Sequence, residues 1–504
     1  NVSSRPGCEI EFEALRKADS ACKSSPSTVY NCRDTMESAT REGISQEAGS
    51  GPLESAVAEQ DQGSCAENDV EKRKTAWVCV AGSFLFLLSS FGFMQSIGTV
   101  QSFLQENQLT DYSSRDVGWI TGVYNFLTMF LGIQTGPWMD VFGPKYLGPL
   151  AVMCPVPMFF LLAECKTYWQ FMLCLGVLGG SGNAIATTVG IAVIGKLFHR
   201  RRGLALGISL SGSSTGGIIF PLVLRQILPT WGWRWSMRSL GLIVLVAMCL
   251  GLACLSPFPR LLATTAGRNE GSSHKRSAAM DLSAFRSTAY SLIASSIFLL
   301  EFAIFGATAI LPTLVSWAGF PPESGYNMVA ILNGLSSLGR ILPGLAGDHF
   351  GHFNVLLYMV IFTLACTAAT LTAFGSTRIE ALYAFSALWG FGTGSFLSLT
   401  PGIFPPPELC FFLHVSIWTL TNCGPVCVGK TCEAKDYGRY YGTMNFVISF
   451  ALLLTMPIGG QMLESLGSTA LSGLYLAVVF IGGALVYAAR SVMLRNWLDF
   501  KTAI

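Results

Sequence analysis

The sequence reads GPWMDVFGPKYL at 136–147 and GLAGDHFGHFNV at 344–355. The two stretches align at a constant offset of 208, which pairs Gly136 with Gly344, Asp140 with Asp348, Phe142 with Phe350 and Gly143 with Gly351. A pattern that returns at one fixed offset marks a chain made of two related units. Each copy lies between two apolar runs, so each marks a tight turn between helices, where glycine lets the backbone bend sharply.

The surrounding composition says what kind of helices these are. Of 504 residues, 51% are hydrophobic and only 12% are charged, with a mean hydropathy of +0.49. A soluble domain carries about 25% charge. Windows free of Lys, Arg, Asp and Glu fall at 75–105, 117–139, 146–163, 167–195, 203–224, 239–259, 353–377, 381–407, 440–463 and 465–489. Two more, 287–322 and 324–347, each hold one charge, Glu301 and Arg340. Taken in chain order these are spans 1 to 12, each about as long as a bilayer-crossing helix. Helices are the expected form, because each satisfies its own backbone in lipid. A further apolar window at 409–429 holds His414, Asn422 and Pro425 and follows Pro405, Pro406 and Pro407. Counting it as a span would reverse everything after it.

Basic residues orient the bundle. With the N-terminus in the cytoplasm, 19 Lys and Arg beyond residue 71 fall on the cytoplasmic side and 6 on the other. That bias predicts cytoplasmic N- and C-termini. The expected domains are a disordered tail at 1–74, a first six-helix half at 75–256, a cytoplasmic linker at 257–286, a second half at 287–490 and a C-terminal tail at 491–504. The first 74 residues hold 14 of the 30 acidic residues and are poor in aromatics, a composition too polar to bury a core.

Several function classes drop out. A net charge of +2 gives no basic face for nucleic acid. The 15 cysteines are scattered, and Cys154, Cys174, Cys249 and Cys366 sit in apolar runs as small core residues. Cys423, Cys427 and Cys432 lack His partners at zinc spacing, so no metal site or cofactor is expected. There is no G-x-x-x-x-G-K-[ST] loop for an ATP-driven pump. No nucleophile constellation points to an enzyme.

The two intramembrane charges are the first candidates for the work of the protein. A charge inside a bilayer costs about 2.5–3.5 kcal/mol or more, so it usually faces a polar cavity. Arg340 is the candidate anchor for an anionic or carbonyl-bearing substrate, through its planar fork of donors. Glu301 is the candidate proton carrier. Their estimated depths differ by roughly 10 Å at the helical rise per residue, which makes direct pairing doubtful. Further polar candidates are Gln95, Asn125, Asn183, Asn333, Trp389 and Asn445. Gln95 is expected to share a face with Thr99 at i, i+4. Each polar side chain has a structural alternative as interhelical glue. Gly176 and Gly180 in span 4, and Ser209, Gly212, Ser213 and Gly216 in span 5, are expected to serve close packing.

The paired G-x-x-x-D-x-x-G loops after spans 2 and 8 resemble the signature of the major facilitator superfamily. KLFHRRRGLALGISLSGSSTGG (196–217) resembles the second signature of its monocarboxylate-transporter-like members. GRILPGLAGDHFGHFNV (339–355) and EAKDYGRYYGTMNF (433–446) look like the fungal branch. The resemblance implies an all-α membrane protein of twelve helices in two pseudo-symmetric halves, a secondary transporter that alternates between inward-open and outward-open states. The branch includes a riboflavin importer and members thought to export secondary metabolites, so a small organic anion, vitamin or secondary metabolite is the expected cargo. Efflux for a biosynthetic cluster is one alternative, and a non-transporting nutrient sensor is another. The expected setting is a monomer in the plasma membrane, with an internal membrane such as the vacuole as the alternative, and with proton coupling.

The resemblance also implies a gate. Gly136, Asp140, Gly143 and Lys145 would face span 11 near Gly442. By symmetry Gly344, Asp348 and Gly351 would face span 5 near Arg202 and Gly203. The pattern departs at four places. Of the D-G-G-W segment that relatives of the animal type carry before span 1, only Trp77 is retained in 69–77. Gln95 stands where relatives of the animal type have Lys, Ser336 stands where they have Asp, and Val141 replaces a basic residue. Without that Lys and Asp, proton–monocarboxylate symport is disfavoured.

The stretch 403–425 reads as an insertion or a retained intron, because SLTP (398–401) would otherwise run almost directly into VCVGK (426–430). Sequencing of cDNA across this junction is expected to return a mature message without the segment; a message that keeps it overturns this reading.

Overall fold

The computed structural model describes residues 74–198, 202–261, 285–350, 352–374, 377–399 and 437–494. The expected tail, the middle of the linker, the segment 403–425 and the window 409–429 lie outside the described residues.

Everything described is helix and short connection, with no strand among the described residues. Three helices run for 40, 54 and 58 residues, at Ser114–Met153, Arg202–Leu255 and Tyr437–Leu494. Each is two spans joined by a single non-helical glycine: Gly143 (φ 67°, ψ 175°), Gly232 (φ 68°, ψ 176°) and Gly467 (φ 80°, ψ −178°). That backbone region is essentially restricted to glycine. Pro144 follows Gly143 directly, and its fixed φ suits the first turn of a helix.

With these breaks the described helices divide into twelve segments, numbered as the expected spans. Span 1 is Lys74–Asn107, in three pieces that end at Ser89, Gln95 and Asn107. Spans 2 and 3 flank Gly143, and span 3 continues through Pro155–Leu162. Span 4 opens at Tyr168, widens to a π-helix over Met172–Gly179 and ends at Leu197. Spans 5 and 6 flank Gly232. Span 7 is Thr288–Trp317 and span 8 is Pro322–Phe350. Span 9 is His352–Thr367 with a π-helical end at Ala368–Thr372, and span 10 is Ile379–Leu399. Spans 11 and 12 flank Gly467.

Seven stretches among the described residues are long and apolar enough to cross a membrane, and two of them, Gly207–Leu261 and Thr443–Leu494, are double length. Asn125 lies in span 2, Asn333 and Arg340 in span 8 and Trp389 in span 10.

Small residues set the packing, as the sequence predicted. A side chain on Gly212 or Gly216 of span 5 would overlap the backbone of span 1 at Phe84 and Leu88. Gly180 of span 4 packs on Tyr124 of span 2, and Gly390 and Gly394 of span 10 pack on Leu332 and Ser336 of span 8. In the second half the Thr455 hydroxyl of span 11 donates to the Phe302 carbonyl of span 7 at 2.6 Å. The halves meet through the same kind of contact. Gly98 of span 1 lies on Ala309 of span 7, Gly118 and Gly122 of span 2 lie on Met456 and Leu453 of span 11, and Gly217 of span 5 lies on Asn333 of span 8. The 2–11 and 5–8 pairs are related by the internal repeat.

One expectation fails. Gln95 and Thr99 do not share a continuous helical face, because the helix breaks at Ser96 (φ −103°, ψ 4°). The Ser96 hydroxyl donates to the Phe93 carbonyl, and Thr99 in turn donates to the Ser96 carbonyl at 2.6 Å. Serine that bonds back into the preceding turn bends helices.

Gly232→Ala forces a β-carbon into this restricted region at a cost of order 1–3 kcal/mol. The expected result is a lower melting temperature in detergent by thermal-shift fluorescence, with Gly473→Ala, which has open space around it, as the control.

Candidate functional site

Arg340 lies in span 8 at the crossing with span 5. It is partly buried, and its Nη1 donates to the Ser213 hydroxyl across the two halves at 3.1 Å, while its Nε is buried without a partner. Ser213 sits four positions before Gly217, so the small face of span 5 that admits Asn333 also admits the guanidinium. Asn333, two turns along span 8, donates to the Gly217 carbonyl at 3.3 Å and to the Val329 carbonyl at 3.0 Å, and its Oδ1 has no partner. The sequence marked Ser213 only as a packing residue, so its hydroxyl contact with the cation is new.

Glu301 is buried in span 7, and one of its carboxylate oxygens, Oε2, is buried without a partner. It forms no ion pair with Arg340 within 4 Å among the described residues, in agreement with the depth argument.

A second polar group lies between spans 1 and 2. Gln101 is fully buried; its Oε1 accepts from the Thr121 hydroxyl at 2.6 Å, and its Nε2 has no partner. Asn125, one turn on from Thr121, is fully buried with neither amide atom bonded. Gln101 was missed by sequence reasoning, although a glutamine in an apolar run was the available signal. Trp389 is buried in span 10 against Phe385, and its Nε1 is unbonded. Gln95, at the break in span 1, and Asn445, in span 11, are each partly buried. Asn183 differs: its amide is committed to the Thr128 hydroxyl of span 2 at 3.2 Å, the role of interhelical glue.

The gate residues are only partly visible. Gly136 faces open space, Gly143 is the turn, and Lys145 is exposed with its ammonium 5.8 Å from the Tyr146 ring. The Lys196 ammonium caps the Met139 carbonyl at 3.3 Å, holding span 4 to the end of span 2. The side chains of Asp140, Arg202 and Asp348, together with Gly203, Gly344 and Gly351, lie outside the described side chains.

At the opposite end the halves are tied by polar groups. The Glu464 carboxylate of span 11 accepts from the Ser114 amide that opens span 2 and from Gln105 of span 1, the latter at 3.4 Å. The Ser114 hydroxyl donates to Gln105 Oε1 at 3.0 Å. Arg225 of span 5 reaches Asn327 at 2.8 Å and Glu323 at 3.6 Å, both of span 8. Within the first half, Glu164 holds Arg238 at 2.7 Å and Arg234 at 3.7 Å.

This architecture has a name. The family model of the Major Facilitator Superfamily matches residues 77–405. The chain belongs to the Major Facilitator Superfamily. It is therefore an integral membrane protein that crosses the bilayer many times, and its work is transport and not catalysis. Among its relatives are the riboflavin transporter MCH5 of Saccharomyces cerevisiae, 28% identical over 81% of this chain and 75% of that protein, and the aspyridones efflux protein apdF of Emericella nidulans, 28% identical over 83% of this chain and 78% of that protein. The transporter pynF of Aspergillus niger is 32% identical over 74% of this chain and 84% of that protein.

In this setting the Glu464 tie is a latch between the two halves. Its groups are partly exposed, so its strength is that of a hydrogen bond to a charge reduced by solvent, about 1 kcal/mol. Glu464→Ala is expected to raise the population with separated ends several-fold, read as longer spin-label distances between the 107–113 connection and the Gly467 turn; an unchanged distance distribution contradicts the latch.

Proposed function

We propose that this protein is a secondary transporter that moves a small organic molecule bearing a carboxylate or carbonyl group by alternating access, with Arg340 as its anchor. The observation that carries this reading is the Arg340 side chain at the junction of the two halves, bonded to Ser213 and with Nε unmatched. A cation there costs several kcal/mol unless it gains partners. A substrate anion or carbonyl supplies them, and both halves then share the ligand, which is the geometry that lets binding drive rocking.

Gln95, at the break in span 1, and Asn125, Asn333, Trp389, Asn445 and Glu301 are the further candidate lining residues. Asn183 is the weakest of the set, since its amide is already used. Glu301 is the candidate proton carrier. Relatives named for riboflavin transport and for efflux of a secondary metabolite support a substrate larger than lactate, as do Gln95 and Ser336 in place of the expected Lys and Asp. Assignment to the monocarboxylate-like fungal branch rests on the motifs at 196–217, 339–355 and 433–446.

The same reading takes the N- and C-termini as cytoplasmic, the membrane as the plasma membrane and the protein as a monomer. The ties at Glu464 and Arg225 then lie at the outer end. Together with the open space around Gly132 and Gly136 they support a conformation closed outside and open inside. The gate at Asp140 and Asp348 would form in the opposite conformation.

The insertion reading gains a metric. Gly143 and Gly351 are 208 positions apart, whereas the equivalent bends at Gly232 and Gly467 are 235 apart. The second half is thus 27 residues longer between those points, close to the length of 403–425.

Comparison of metabolites inside and outside cells with and without the protein identifies the cargo and its direction. Arg340→Gln is then expected to reduce flux of that cargo in proteoliposomes by at least tenfold, with Arg340→Lys recovering part of it. Full activity in Arg340→Gln contradicts the anchor. Glu301→Gln is expected to abolish the response to a pH gradient while exchange of labelled for unlabelled cargo persists; gradient-driven uptake that survives removes Glu301 from coupling.

A further inference from the structure

The connection between spans 3 and 4 brings two cysteines together. Cys165 follows the last turn of span 3, and Cys174 lies in the π-helix that opens span 4. The Cys165 thiol donates to the Leu161 carbonyl at 3.3 Å, and the Cys174 thiol donates to the Met158 carbonyl at 3.3 Å. Met158 and Leu161 are three residues apart on one face of span 3, so the two sulfurs lie side by side along the same stripe of helix.

The surroundings favour oxidation. Cys165 is 9% exposed and lines a cleft of about 510 Å³ together with Gln108, Lys166, Trp231 and Arg234. The thiolate is the form that attacks a disulfide, so access from the cleft decides which cysteine reacts first. Cys174 is behind it and 8% exposed. A small molecule entering the cleft meets Cys165 first, and Cys174 is placed to resolve the product.

We propose that Cys165 and Cys174 form a disulfide that closes the connection between spans 3 and 4. The inference rests on the topology of the proposed function, which puts this end of the bundle on the non-cytoplasmic side, where disulfides form and persist. The reaction is exchange with a disulfide supplied by that compartment, either a glutathione-type small disulfide or the active-site disulfide of an oxidase. The Cys165 thiolate attacks one sulfur of the external disulfide and expels a thiolate, leaving a mixed disulfide on Cys165. The Cys174 thiolate then attacks the Cys165 sulfur and expels the second thiolate. Two protein thiols lose two electrons and two protons, and one external disulfide becomes two thiols.

The bond acts behind the outer latch. Between the two cysteines, Tyr168 donates from its hydroxyl to the Asp116 carbonyl of span 2 at 2.9 Å and stacks on Tyr112 at 5.0 Å. Asp116 is two residues from Ser114, the amide held by Glu464. The disulfide would fix the base on which this end of span 2 rests.

Full-length protein taken from membranes, denatured in N-ethylmaleimide and digested after lysine without reduction, tests the bond. Cleavage at Lys145, Lys166 and Lys196 should leave peptides 146–166 and 167–196 covalently joined and separable by dithiothreitol. Peptide 146–166 also contains Cys154, so Cys165→Ser must abolish the joined species and Cys154→Ser must leave it. A glycosylatable Asn-Ser-Thr loop inserted between Asp111 and Tyr112 reports the side of the membrane in parallel. A glycosylated loop with both thiols fully alkylated before reduction overturns the disulfide and leaves the topology standing. An unmodified loop with alkylated thiols overturns both. Joined peptides with an unmodified loop support the bond and overturn the topology.

Discussion

A charge in hydrocarbon must find partners inside the protein, and the placement of Arg340 follows from that constraint. The guanidinium cannot point to lipid, so span 8 turns it toward span 5. Span 5 can receive it only because Ser213 and Gly217 keep that face small. A hydroxyl is a modest partner for a cation, and the buried Nε finds none. Gln101 Nε2 and both amide atoms of Asn125 are in the same condition between spans 1 and 2. Unmatched polar atoms at this density are expensive in a dry core.

The internal repeat turns this local arrangement into a mechanical one. Within each half, helices touch backbone to backbone through glycine, as at Gly212 on Phe84 and Gly394 on Ser336. Such contacts leave little room for small adjustments. Between the halves, the 2–11 and 5–8 crossings are equivalent under the repeat, and each is also close-packed near one end. What holds that end shut is polar and partly wet: Glu464 on the Ser114 amide, and Arg225 on Asn327 and Glu323. Ties of this kind are weak in water. On the proposed reading, a carrier needs a seam whose polar ties can be exchanged at little cost.

The large-scale design was legible in the sequence because charge and glycine write it in one dimension. Gaps between charges located the helices, the 208-residue repeat pointed to two related halves, and the Gly143 motif located a turn that the structure bends at φ 67°. The contacts were not legible, because they join positions far apart in the chain. Ser213 and Arg340 are 127 residues apart, and Ser114 and Glu464 are 350 apart. Gln95 and Thr99 failed for a local reason. The break at Ser96 contains no proline and arises where serine hydroxyls bond back to carbonyls, an option the sequence permits but does not compel. Gln101 went unnoticed because a single glutamine in a hydrophobic run looks like noise until Thr121 is seen opposite it.

The separation of Glu301 from Arg340 bears on what such a site can do. Two opposite charges locked in a buried pair satisfy each other and leave a ligand little to gain. Here each belongs to the second half, yet they do not touch. Arg340 reaches across to span 5 instead, while one oxygen of Glu301 stays unbonded within the bundle. An anion arriving at Arg340 would displace the Ser213 hydroxyl, a neutral partner, and would not have to break an ion pair. Protonation of Glu301 would remove a charge that otherwise attracts Arg340 away from that contact. On the proposed reading, cargo would act on this cation from the junction of the halves and the proton from within the second half. That arrangement gives coupling a physical route without the span 1 Lys and span 8 Asp, whose positions are filled by Gln95 and Ser336.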